Sequence, residues 1–162
     1  MNAIVVVDRN WCIGRDGHLL VHLPGDLKYF KEKTLGKTIV IGRRTLESFP
    51  AGKPLPGREN IVVTGNGSYC NENCTICYSF EGLLDVLGRI PKGQVFIAGG
   101  QSVYEQFMPH VSTVYVTKLD GVYEGDRYFP NLDEDPDFAM TWISPEQVEN
   151  GVKYNFAKYQ RK

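Results

Sequence analysis

The sequence predicts a single α/β domain built on a mostly parallel sheet, and three observations carry that expectation. Short apolar, β-branched runs without polar alternation recur at Ala3–Val7, Thr38–Ile41 and Gln94–Ala98, the pattern of strands buried on both faces. Helical segments separate such runs, and strands alternating with helices specify parallel strands joined by crossovers. The chain closes with two strand-like segments, Phe138–Ile143 and Val152–Tyr159, without a helix between them, which points to a hairpin and antiparallel pairing at one edge. A length of 162 residues fits one domain, residues 1–162, around one substantial core.

The elements follow in order. After the first strand comes a long glycine-containing stretch, Asp8 to Leu23, with Gly14 and Gly17 as expected turn points. Pro24, well placed at a first helical position, starts a helix to Thr34, whose narrow apolar face comprises Leu23, Leu27 and Phe30. Thr38–Ile41 is the next strand, and Gly42-Arg43-Arg44-Thr45 turns it into a short helix ending near Phe49-Pro50. The Pro/Gly-rich loop Ala51–Arg58 leads to a strand at Asn60–Thr64. A strand near Cys74–Cys77 precedes a helix at Phe80–Leu87. Gln94–Ala98 runs into Gly99-Gly100, which opens a helix at Ser102–Met108, and Thr113–Leu119 is the last strand before the terminal pair.

Composition narrows the function classes. Hydrophobic residues at 42% and charged residues at 23% describe an ordinary globular chain. A net charge of −1 offers no electrostatic footprint for nucleic acid or a membrane surface. No apolar stretch of signal-peptide or membrane-spanning length follows a basic N-terminal region, so the expected location is the cytoplasm. Cys70, Cys74 and Cys77 read C-x3-C-x2-C, a spacing that could hold an iron–sulfur cluster with Cys12 as a fourth ligand. Asn73–Tyr78 alternates like a strand, however, which would turn Cys74 and Cys77 to opposite faces. The expectation is reduced cysteines acting as small hydrophobes, with no metal.

Three features bear on chemistry. Asp26 sits at the start of a helix, where a carboxylate commonly complements the dipole at the surface. It could instead lie in an apolar pocket between Leu27 and Phe30, where burial would raise its pKa and suit it to proton chemistry. Two strand-to-helix junctions, Gly42-Arg43-Arg44-Thr45 and Gly99-Gly100-Gln101-Ser102, offer backbone N–H groups to a phosphate, although neither is a GxGxxG or GxxxxGK[ST] fingerprint. Arg58 follows the turn Pro54–Gly57, which would hold a guanidinium in place for a carboxylate.

Taken in order, these segments resemble dihydrofolate reductase of the bacterial chromosomal type along nearly the whole chain. The resemblance is carried by Ile13-Gly14 with Gly17, Leu23 to Leu27 with Phe30 and Thr34, and Gly42 to Thr45 through Glu47-Ser48. It continues in Pro54 to Asn60, Ala98 to Gln101 with Tyr104, Tyr115 to Thr117, and Glu124-Gly125-Asp126 with Phe129-Pro130. It implies an eight-stranded sheet flanked by four helices, a monomer, and NADPH-dependent reduction of dihydrofolate to tetrahydrofolate, a reaction sensitive to antifolates such as methotrexate or trimethoprim. Asp26 would bind the N3 and 2-amino edge of the pterin and promote protonation at N5, with Thr117 supporting it. Ile4, Val5, Leu27, Phe30, Phe49 and Leu55 would wall the substrate, and Arg58 would pair with its glutamate α-carboxylate. Val6, Ile13, Gly14, His18, Leu19 and Ala98 would surround the nicotinamide. Gly99-Gly100 would carry a cis peptide, and Gln101, Ser102, Val103 and Tyr104 would present helix N–H groups and a phenol. Arg44 and Thr45 would meet the pyrophosphate, Arg43, Thr64 and Asn66 the 2′-phosphate, and Gly42 and Gly65 would also bind the cofactor. Asp8–Leu23 would form a lid that Gly125-Asp126 holds closed.

Two departures stand in the lid. Leu20 and Val21 replace the family's usual proline and tryptophan, removing a stiffening ring and an indole donor beside the substrate. A slower turnover or weaker substrate binding than the family norm is the expectation. Val6 stands where a smaller alanine is common. Two rival readings are a pyrimidine reductase of riboflavin synthesis, which would need no carboxylate matched to a pterin, and a non-catalytic nucleotide-binding protein on an inherited fold. Asp26 with Phe30 and Arg58 favours folate over the first. Asp26, Thr117 and the two glycine junctions argue against the second.

Overall fold

A computed structural model describes all residues, Met1–Lys162. The strands are β1 (Asn2–Val7), β2 (Cys12–Gly14), β3 (Thr38–Gly42), β4 (Glu59–Val63), β5 (Thr75–Cys77), β6 (Val95–Gly99), β7 (Thr113–Leu119), β8 (Arg127–Tyr128), β9 (Phe138–Ile143), β10 (Gln147–Glu149) and β11 (Val152–Arg161). The α-helices are α1 (Pro24–Thr34), α2 (Arg43–Ser48), α3 (Phe80–Leu87) and α4 (Gln101–Phe107). The main sheet runs β10-β11-β7-β1-β6-β3-β4-β5, parallel from β7 to β5, with β11 antiparallel to β7. The long β11 pairs with β10 through its first residues and with β9 through its last, across an irregularity at Lys158/Tyr159. The sheet is therefore eight positions wide, its final position divided between two short strands.

Strand alternation sorts the core onto two faces. Ala3, Val5, Val40, Ile61, Ile97 and Val116 point to one side, where they pack with Leu83 and Leu87 of α3 and Val103 and Phe107 of α4. Ile4, Ile39 and Phe96 point to the other side, against Phe30 of α1, and Ile41 and Val62 pack there with Leu46 of α2. The connection after β1 runs toward β3, whereas that after β6 crosses back past β1 to β7. Neighbouring strands β1 and β6 thus send their connections in opposite directions, and a crevice opens beyond their carboxyl ends.

Several expectations need correction. The stretch Asp8–Leu23 is not all loop: β2 within it pairs with β8 in a separate two-stranded sheet. Gly17 makes the turn, with φ +79, but Gly14 ends β2. The partner that makes a direct hairpin with β11 is β10, turning at Asn150-Gly151, while β9 reaches β11 across a longer connection. Strands of two or three residues carry too few side chains for a periodic signal, so β2, β8 and β10 leave little trace in the sequence. The apolar residues of α1 are also only partly covered: Thr34 is its one buried residue and Leu27 remains 43% exposed. That face of the helix lines a cleft.

The cysteines are distributed by the same alternation. Cys77 joins the core beneath α3, Cys74 packs with Ile41 and Leu46 on the opposite face, and Cys70 is exposed. Cys12 is buried against Gly125 in the lid. No α-helix is long and apolar enough to cross a membrane.

Candidate active site

A cleft of about 950 Å³ runs over the carboxyl edge of β1, β6 and β3. Asp26 occupies the first turn of α1, opposite Thr117 of β7, and lines a small cavity that shares Val6, Ile13 and Leu19 with the cleft. Thr117 is buried, and its Oγ1 donates to Asp26 Oδ1 at 2.5 Å. Burial raises the Asp26 pKa above its ordinary value, the Thr117 hydrogen bond opposes that shift, and the negative charge of Glu149 adds to it. Asp26 forms no ion pair, so of the two readings of this carboxylate the structure supports a partly desolvated acid over a solvated surface charge. Beside it is a small cavity of about 20 Å³ lined by Val6, Val21, His22 and Leu27, among others, which is room for about one water molecule.

The apolar wall follows from α1 and the loop after α2. Phe30, Phe49 and Leu55 gather on Ile4 of β1, with Tyr115 of β7 in the same cluster. Val5 lines the main cleft and Leu27 lines the small cavity beside Asp26. Leu55 is held because Asn60, buried, accepts from its N–H at 3.0 Å and donates to its carbonyl at 2.9 Å. Arg58 stands at the far end of this wall. Its guanidinium donates to Thr34 Oγ1 at 3.3 Å and to the Pro56 carbonyl at 3.0 Å, and it forms no ion pair within the chain. Partial burial lowers its pKa, the mark of a cation short of a counter-charge.

Every position expected around the nicotinamide and pyrophosphate lines the main cleft, from Val6, Ile13, Gly14, His18 and Leu19 to Ala98 and the segment Gly99–Tyr104. Gly42, Arg43, Arg44, Thr45, Thr64 and Gly65 line it too. The two glycine junctions face one another: a Cβ on Gly99 would lie 3.2 Å from Thr45 Oγ1, and one on Gly42 would lie 3.4 Å from Val103 Cγ2. The Gly99–Gly100 peptide is cis. Neither α2 nor α4 has a side-chain cap, so the first-turn N–H groups of both are left for another acceptor. Arg44 is exposed and pairs with no acid. Arg43 is braced by Glu47 at 2.8 Å and by the Tyr69 ring at 4.7 Å. Backbone donors, two guanidiniums and close glycine packing fit a dinucleotide's phosphates.

Two expectations about this half change. The Tyr104 phenol does not open to the cleft: it is buried, and its hydroxyl donates to the Ile4 carbonyl at 2.6 Å, because a buried hydroxyl takes the nearest acceptor. Asn66 lies outside the lining and accepts from Ser68 N–H in its own turn. Tyr78, Ser79 and Phe80 also line the cleft, beyond the residues that the sequence marks. Ser79 caps α3 by accepting from Gly82 N–H, so this is a third strand-to-helix junction on the same sheet edge, and Ser79 before an apolar run was its signal.

The segment expected to form the lid is tied to residues 124–126. Asp126 N–H donates to the Gly14 carbonyl at 3.0 Å, Asp126 Oδ2 accepts from Asp16 N–H at 3.3 Å, and Arg15 pairs with Glu124 at 3.1 Å. The base of this segment is tied by Asp8, buried, which accepts from the N–H groups of Asn10, Cys12 and Tyr123.

Comparison with known proteins places this geometry. Residues 1–161 match the family described as Dihydrofolate reductase. The chain is 39% identical to the dihydrofolate reductase of Bacillus subtilis, with 100% of the chain and 95% of that protein covered. It is 35% identical to that of Staphylococcus aureus, with 100% and 98% covered. A solved dihydrofolate reductase from Enterococcus faecalis, complexed with NADP(H) and RAB-propyl, superimposes with a TM-score of 0.88 at 33% identity, covering 99% of this chain and 95% of that one.

Proposed function

Because this chain belongs to the dihydrofolate reductase family, we propose that its cleft reduces 7,8-dihydrofolate to 5,6,7,8-tetrahydrofolate, with hydride delivered to C6 and a proton to N5. The observation that carries this reading is Asp26: a partly buried carboxyl bonded to Thr117, lining a small cavity that adjoins the main cleft through Val6, Ile13 and Leu19. When bound along that cleft, NADPH supplies the hydride. Val6, Ile13, Ala98 and the Gly99–Gly100 turn hold the reacting ring against the substrate and exclude water from the contact. Arg43 and Arg44 with the α2 and α4 N–H groups hold the phosphates.

Asp26 binds the pterin through its amidine-like edge. Its pKa is raised by burial, so it holds a proton to higher pH than an ordinary aspartate and promotes proton delivery toward N5 through the water-sized cavity beside it. Arg58 pairs bidentately with the substrate's α-carboxylate. The family resemblance implies a monomer as the working unit, and four unpaired cysteines suit a reducing cytoplasm. Antifolates that mimic the pterin edge compete for Asp26. The test is loss of NADPH absorbance on adding 7,8-dihydrofolate. Methotrexate-sensitive turnover supports the assignment, and tight NADPH binding without turnover refutes it.

Two variants probe the substrate half. Arg58→Leu is expected to raise KM for dihydrofolate roughly ten- to hundredfold, since a charge-assisted hydrogen bond contributes about 1.5–3 kcal/mol. A pterin substrate lacking the glutamate should show no such change, and an equal loss for both substrates would remove Arg58 from carboxylate binding. Val21 is half-buried against Leu23, Leu119 and Tyr154 and lines the cavity beside Asp26. Val21→Trp should raise kcat or lower KM, because an aromatic body there adds about 1–3 kcal/mol of apolar burial and supplies an N–H donor. If both constants stay at their starting values, the missing tryptophan is immaterial in this lid.

A further inference from the structure

The corner behind Asp26 contains a second carboxylate. Glu149 ends β10, at the opposite end of the chain from α1, yet its Oε1 accepts from the Gly25 N–H at 2.9 Å. That N–H belongs to the first turn of α1, whose N-cap Leu23 has no side-chain acceptor of its own. The approach depends on position 25 having no side chain. A Cβ there would lie 2.7 Å from the Tyr154 hydroxyl and 3.3 Å from Glu149 Oε1. Gly25, Glu149 and Tyr154 therefore form a close three-way contact at the residue that precedes Asp26.

We propose that Glu149 is a positioning residue for substrate reduction, anchoring the first turn of α1 from the C-terminal hairpin and holding a second negative charge beside Asp26. The proposal rests on the reading of Asp26 as the acid that promotes protonation at N5. A helix cap alone would need only an oxygen acceptor, which serine, asparagine or glutamine supplies. A carboxylate adds charge, and charge acts on the proton affinity of its neighbour.

Among the groups facing Asp26, Glu149 is the one whose charge acts on its ionisation. Thr117 of β7 donates a neutral hydroxyl. Tyr154 of β11 and Tyr29 of α1 are phenols whose own pKa values are raised, first by burial and further by surrounding groups including Asp26. His22 lines the adjoining cavity from the lid side, and the remaining lining there is apolar. Like charge disfavours ionisation, so Glu149 acts in the same direction as burial and extends the pH range over which Asp26 carries its proton.

The test is Glu149→Gln, which keeps an oxygen for the Gly25 N–H and removes the charge. Hydride transfer is followed in single turnovers at saturating NADPH across pH, so that product release does not mask the step. The rate of the wild-type protein is expected to fall as pH rises through the Asp26 pKa. In E149Q that fall comes at lower pH. The variant is then roughly threefold slower above the wild-type midpoint, and the two curves converge at low pH. Glu149→Ala, which also removes the acceptor, should in addition raise KM for dihydrofolate, a change that the glutamine variant does not share. A falling wild-type curve with a superimposable E149Q curve overturns the role of Glu149 and leaves that of Asp26 intact. A wild-type curve that stays flat overturns both.

Discussion

Asp26→Asn is expected to reduce dihydrofolate reduction at neutral pH by about two to four orders of magnitude, the usual contribution of a positioned acid–base group. Asparagine keeps an oxygen for the Thr117 hydroxyl, which donates to Oδ1 in the parent, so the local geometry should persist. What it lacks is a carboxyl able to exchange a proton and to meet two donors of the pterin at once. The residual rate should climb as pH falls, because solvent then protonates the substrate without help. Stability should move the other way. Burial raises the Asp26 pKa above its ordinary value of 3.8, so the folded protein binds this proton more tightly than the unfolded chain. Full stability is therefore present below the ordinary value and is lost as pH rises through the raised one. The variant never ionises here, so its melting temperature should exceed that of the parent at pH 8 and match it at pH 3. A variant both active and no more stable would show that Asp26 is an ordinary solvated carboxylate.

The sequence exposes the frame of this molecule more readily than its lid. Ala3–Val7 and Thr38–Ile41 are continuous apolar runs because both faces of a central parallel strand are buried, and both fall on strands here. Pro24 marks the start of α1, and the Gly42 and Gly99 junctions mark where the cleft crosses the sheet. Asp26 is ambiguous in the sequence for a physical reason. How a helix-start carboxylate titrates depends on its burial and then on Thr117 and Glu149, which lie far along the chain and come to it only through β7 and β10. Tyr104 illustrates the same limit: an aromatic hydroxyl at a helix start looks available until β1 brings the Ile4 carbonyl to it. The two-stranded sheet β2–β8 is shorter than any periodicity and rests on backbone pairing, which side-chain pattern does not report.

That small sheet makes Gly125 the other position where one atom has a large effect. A Cβ at Gly125 would fall within the van der Waals envelope of the Cys12 sulfur and 2.6 Å from the Gly14 carbonyl oxygen. Cys12 is buried and Gly14 is backbone, and both belong to β2, so the strand itself must retreat. Its retreat would carry Ile13 and Gly14 out of the cleft wall and break the bond from Asp126 N–H to the Gly14 carbonyl. Gly125→Ala is therefore expected to slow single-turnover hydride transfer tenfold or more (~1.4 kcal/mol of lost closure) and to raise KM for NADPH. Thermal stability should fall by an overpacking cost of about 1–3 kcal/mol. The main sheet does not depend on this contact, so the protein should remain folded. Adding Cys12→Ala to the variant relieves the sulfur contact but leaves the carbonyl. It should therefore restore part of the stability and little of the rate. Full recovery of the rate would mean that the lid is set by side-chain packing at Cys12, and an unchanged rate in the single variant would mean that hydride transfer does not require β2 where it lies here.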